Sequence, residues 1–176
     1  EFEDLKAIAA ITLLSPFVPM LFQGEEWGAS TPFQYFTDHN EELGRLITEG
    51  RRREFAAFKS HAGDIPDPQD LATFERSKLR WNELDDERHR ELLEWHRSLI
   101  ELRRTIPHDA PAHVEFDPDG KWLTLRRGSL LAVFNFSRES CAIPLPAANW
   151  QPRFFENPEV GSTTFPPKST TLLTES

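Results

Sequence analysis

The sequence holds a single cysteine, Cys141, in 176 residues. No internal disulfide can form, and a cytoplasmic, reducing setting is the expectation. Positive charge is also scarce: 20 Lys and Arg stand against 29 Asp and Glu, a formal net charge of −9. A chain this acidic lacks the basic face that a phosphate backbone demands, which excludes nucleic acid as a partner. No apolar run reaches the length of a membrane span and nothing at the start reads as a signal peptide, so no membrane partner is expected. There is no glycine-rich phosphate loop, no serine nucleophile elbow and no Cys–His pair with supporting context. His39 has no second His or Cys nearby, which rules out a metal site there. No cofactor is expected.

What remains is an ordinary globular composition, 38% hydrophobic and 28% charged, enough for one or two domains with real cores. The chain opens Glu1-Phe2-Glu3-Asp4-Leu5-Lys6, entering a helical pattern with no methionine, which suggests a segment of something longer. Apolar residues at Leu5, Ile8, Ala9 and Leu13 predict a helix over 2–14, stopped by Pro16. Phe17-Val18-Pro19-Met20-Leu21-Phe22 is a short apolar run closed by Gly24, the pattern of a strand buried on both faces in an α/β fold. Further helices are predicted over 41–58 and 85–105, the second with Leu92, Trp95, Leu99 and Leu102 on one face and Pro107 at its end. The stretch 63–73, with Pro66 and Pro68, reads as a long loop.

Beyond Ala112 the period changes to two. His113–Phe116, the turn Asp117-Pro118-Asp119-Gly120, and a hairpin of 121–126 with 129–136 predict an antiparallel β region. Shorter strands are expected at 141–145, 151–155 and 170–173.

Candidate chemistry is thin. The neighbours Glu25-Glu26 and Asp85-Asp86 cannot flank a sugar from opposite sides, as the two carboxylates of a glycosidase must. Asp85-Asp86 reads as a solvated helix start favoured by the helix dipole. Glu25-Glu26-Trp27 follows directly on the apolar run. It reads equally as a sugar-holding group, a ring stacking on a pyranose beside hydroxyl acceptors, or as carboxylates holding the loop's own backbone. Phe33-Gln34-Tyr35-Phe36 with Asp38 and His39 poses the same choice between packing and binding. Arg51-Arg52-Arg53 reads as a solvated helix face paired with Glu49 and Glu54.

Several stretches resemble a known family. Ser15-Pro16-Phe17-Val18-Pro19-Met20-Leu21-Phe22-Gln23-Gly24-Glu25-Glu26-Trp27-Gly28 looks like the last strand and following loop of the α-amylase superfamily barrel. Pro32–His39, Gly50–Phe55, Pro66-Asp67-Pro68-Gln69 and Thr73–Trp81 resemble the malto-oligosyltrehalose trehalohydrolases. Arg80 departs from the acid usual at that position. Leu99–Pro107 is similar to the barrel's last helix, and Leu131–Ser137 to a strand of the family's C-terminal β domain.

The resemblance implies an α/β fold: the C-terminal end of a (β/α)8 barrel, its last strand and helices, over 1–108, then a small antiparallel β-sandwich domain over 109–176. It implies a parent glycosidase that cleaves the α-1,4 bond next to the terminal trehalose of maltooligosyltrehalose, with that α-glucan as partner. The superfamily's three catalytic carboxylates would all lie upstream, so no residue here is expected to be catalytic. Glu25, Glu26, Trp27, Asp38 and His39 would line the substrate cleft. The isolated chain is expected to be inactive, with a poorly packed N-terminal part and a β domain able to fold alone. Two alternatives stand beside this: a fragment of a branching enzyme or amylase, and a non-catalytic carbohydrate-binding module presenting Trp122 or Trp150.

Overall fold

A computed structural model describes residues 2–56, 65–153 and 163–176. The chain divides into two compact units, Glu1–Gly28 with Leu84–Ser176, and Ala29–Glu83.

In the first unit, α1 (Phe2–Leu14) buries Ala7, Ala9, Ala10, Leu13 and Leu14. α4 (Glu87–Thr105) starts where Asp86 accepts the amide of Arg88 at 2.8 Å, the usual N-cap bond. It buries Leu92, His96, Leu99 and Leu102, a three-to-four-residue repeat on one face. α1 and α4 pack together, and Trp95 Nε1 donates to the carbonyl of Lys6 at 3.0 Å. Two further helices, α2 (Glu41–Ala56) and α3 (Leu71–Arg76), belong to the second unit.

The strands are β1 (Ala112–Asp117), β2 (Trp122–Arg127), β3 (Leu130–Asn135), β4 (Cys141–Ala142), β5 (Trp150–Pro152), β6 (Thr164–Phe165) and β7 (Ser169–Glu175). One sheet has the order β1-β2-β3-β7-β5, β4 pairs with β6, and every described pairing is antiparallel. β3 lies at the centre and all six of its residues are buried. Its alternation feeds two cores. Leu130, Ala132 and Phe134 join Leu125 and Leu172 against Ala10, Leu14, Leu99 and Leu102 of the helices. Leu131 and Val133 join Leu173, Ile143, Trp150 and Phe165 on the other face.

Two arginines tie helix to sheet. The last carbonyls of a helix have no partner within it and need one from outside. Arg127, 3% exposed, donates from Nη1 to Leu14 O at 3.2 Å and Ser15 O at 2.9 Å. Arg103 donates to Leu13 O, to Ser15 O at 2.7 Å and to Phe17 O at 2.8 Å. Both cations sit at the negative end of the α1 dipole. Burial, and then the neighbouring Arg103, press the Arg127 guanidinium below its ordinary pKa.

Two expectations need correction. Phe17–Phe22 is not a strand: it forms bends and irregular chain, with Phe17 75%, Val18 90% and Met20 88% exposed. A strand's amides and carbonyls require a neighbouring ladder, and no described strand offers one. The N-terminal part is also better packed than expected, because α1 finds α4 and the sheet within this chain. The helical and β segments meet in one core, so a β segment cut at 109 would leave Leu125, Leu130, Phe134 and Leu172 uncovered.

Candidate functional site

The Glu25–Trp27 segment forms a 3-10 turn in the first unit. Gly24 (φ 82°) and Gly28 (φ 69°) bracket it in the left-handed region, which glycine enters without strain. A side chain at Gly28 would also meet Leu92 at 3.2 Å and Leu5 at 3.3 Å. Glu25 turns back on its own loop: its Oε2 accepts the amide of Phe22 at 2.9 Å. Trp27 is 2% exposed, so its ring presents no open face, and its carbonyl accepts from His89 Nδ1 at 2.6 Å. Glu26 is half-buried, with no hydrogen bond among the described residues.

Asp38 and His39 belong to the second unit, in the irregular stretch before α2. Asn40 closes that stretch by capping α2, its Oδ1 accepting the amide of Leu43 at 3.0 Å. The stretch is held by Pro66-Asp67-Pro68-Gln69. Pro68 O accepts from Thr37 N at 2.8 Å, and Gln69 Oε1 accepts from Thr37 Oγ1 at 2.6 Å and His39 N at 3.2 Å. Gln69 Nε2 donates to His39 O at 3.0 Å. Asp67 in turn accepts from Thr48 Oγ1 at 2.8 Å and Gln69 N at 3.0 Å. These bonds, the Gln69 amide foremost, hold the Asp67 carboxyl below its ordinary pKa, with Arg52 adding attraction.

The aromatic loop is anchored likewise. Ser77 Oγ accepts the amide of Gln34 at 3.1 Å, and Phe36 meets Phe74 edge-on at 5.0 Å. Arg51 is not a purely solvated charge: its guanidinium lies 4.4 Å from the Tyr35 ring and 5.0 Å from Phe55. The unit's buried side chains include Thr48, Thr73 and Ser77, while Phe33, Tyr35, Leu43, Leu46, Leu71 and Trp81 are exposed. Polar bonds knit this unit, and several of its large apolar side chains are exposed.

Reading residue types along the chain gave Gln69 and Asp67 no structural role. The available signal was Asp-x-Gln-Asp before a short apolar helix, where Asp70 caps α3 through the amide of Ala72 at 2.9 Å. Trp150 is 7% exposed and so offers no sugar platform, while Trp122 is partly buried against the same core. Among the described residues no group of His, Cys, Asp and Glu could hold a metal, and no helix is long and apolar enough to cross a membrane.

The fold is that of α-amylase-type proteins. It superposes over 98% of its length on 31% of a candidate α-amylase from Salmonella typhimurium, at TM-score 0.76 and 28% identity. It also matches 23% of a Thermococcus kodakarensis pullulan hydrolase at TM-score 0.58 and 16% identity, a likeness of fold alone. Residues 107–172 match a family described as a domain of unknown function, DUF3459. Within the α-amylase class, the chain is a relative of the malto-oligosyltrehalose trehalohydrolases. It is 46% identical over 151 residues to that of Rhizobium sp. (strain M-11) and 54% identical over 136 residues to that of Arthrobacter ramosus. Those matches cover 82% and 77% of this chain but 25% and 22% of the relatives. The chain thus spans about a quarter of the length of the curated relatives it matches.

Proposed function

We propose that this chain is the C-terminal part of a glycosidase that cleaves the α-1,4 bond next to the terminal trehalose of maltooligosyltrehalose, releasing trehalose for its biosynthesis. The observation that carries this reading is the 46% identity over 151 residues to a trehalohydrolase. On this reading the catalytic carboxylates belong to polypeptide outside the chain, and the chain alone is inactive. Retaining and inverting glycosidases both need two carboxyl groups facing each other across the scissile bond, about 5–9.5 Å apart. Glu25, the obvious local candidate, spends an oxygen on its own backbone.

Exposed Phe17, Val18 and Met20 fit an apolar surface that the other polypeptide covers. Substrate contact is proposed for each unit by itself. In the first, Glu25 and Trp27 set the shape of the turn and Glu26 offers the polar group. In the second, Asp38 and His39 do so from the stretch that Gln69 holds. The outward apolar side chains of the second unit fit a loop unit that rests on the rest of a barrel. A cytoplasmic setting accords with the lone Cys141.

A chimera tests the proposal. This chain replaces the matching quarter of the Rhizobium enzyme, and trehalose release from maltooligosyltrehalose is measured. Retained release supports the reading. A folded chimera that degrades the substrate to other products would instead favour an amylase or branching enzyme.

A further inference from the structure

We propose that a cleft at the open end of the β region, in the first unit, binds a neutral saccharide of a few rings. Its volume is about 750 Å³, inside the range of about 300–1,000 Å³ usual for small-ligand sites. Asp119, Lys121, Phe136, Arg138, Glu139 and Lys168 are among its lining residues.

Two observations single it out. Among the described residues, Lys121 (φ 54°) and Lys168 (φ 51°) alone take positive φ without being glycine, and both line this cleft. Glycine or asparagine would hold either turn with less strain, so the lysines are there at a conformational cost, as happens at ligand clamps. Neighbouring backbone fixes both positions: Lys121 O accepts from Phe136 N at 2.8 Å, and Lys168 N donates to Ser137 O at 3.0 Å. The second observation is the balance of groups. Lys168 is neutralised by Asp4 at 3.0 Å, whereas Lys121 and Arg138 form no ion pair among the described residues. These two cations share the lining with the two carboxylates Asp119 and Glu139. A wall with strong donors, strong acceptors and little net charge suits hydroxyl groups, which both donate and accept. An anion would use the cations but leave Asp119 and Glu139 without a donor, whereas a hydroxyl serves both. The half-buried Phe136 adds an apolar surface of the kind a sugar face covers. This inference is independent of the hydrolase reading, since it needs no catalysis.

The test titrates the 176-residue chain with maltotriose, following backbone NMR shifts and the alkylation rate of Cys141, which also lines the cleft. Maltotriose is expected to shift Lys121, Phe136 and Arg138 and to slow the alkylation. K121N, which suits the left-handed turn, and R138A are the variants. At least one of them is expected to weaken binding about tenfold, the order of one charge-assisted hydrogen bond, with no fall in Tm. No shift at the cleft, unchanged affinity in both variants, or tighter binding of glucose 6-phosphate than of maltotriose would overturn the proposal.

Discussion

Gln69 grips the backbone of His39 from both sides, accepting its amide at 3.2 Å and donating to its carbonyl at 3.0 Å. One side-chain amide thereby fixes the position of Asp38 and His39, thirty residues away in sequence. Q69A removes both bonds and the support of Thr37. Hydrogen exchange at the His39 amide is expected to accelerate about tenfold or more, as the loss of 1–3 kcal/mol of local stability requires. Unchanged exchange would show that the loop is held by other means.

Gly44 lies inside α2, where a Cβ would collide with the Gln69 side chain. Alanine there favours the helix by about 1 kcal/mol but evicts the clasp. G44A is therefore expected to reproduce the exchange pattern of Q69A, and the double variant to add little. Additive effects on the His39 amide would mean that the two residues act separately.

Asp67 has its folded pKa depressed by the bonds from Gln69 and Thr48. A depressed carboxyl stabilises the fold above its unfolded pKa, near 3.8, and loses that contribution as pH falls through the folded value. Chemical shifts around Gln69 and Thr48 are expected to hold down to about pH 4 and to change only below it. D67N should remove that acid transition; its persistence would assign the transition to another group.

Arg127 carries a buried cation onto the end of α1. R127M leaves the Leu14 carbonyl without its donor and is expected to cost about 2–4 kcal/mol, read as a lower Tm in thermal unfolding. The loss should extend to α1 and the sheet together, because both line one core. Selective loss of the sheet, with α1 intact, would contradict that coupling.

The legible parts of this fold were those fixed by local pattern. Leu92, Leu99 and Leu102 announced α4 through the one face it presents to a core, and the turn at Arg127-Gly128 between apolar runs announced β2 and β3. Phe17–Phe22 misled for a physical reason: its composition suits burial, but strand structure belongs to the ladder beside it. α3 was hidden inside a proline-rich stretch, with only Asp70 to mark its start. The polar knit of the second unit was out of reach, since bonds such as Gln69 to His39 and Ser77 to Gln34 join residues 30 and 43 apart. Of the proposed cleft residues, the sequence suggested their types. Only the structure showed that Glu25 accepts from its own loop and that Trp27 is covered.

The most direct test is to incubate the purified, folded chain with maltooligosyltrehalose and measure trehalose. The account predicts none above background at any enzyme concentration that permits assay. Sustained release, abolished by substituting Glu25 or Glu26, would place a working active site within these 176 residues and contradict it.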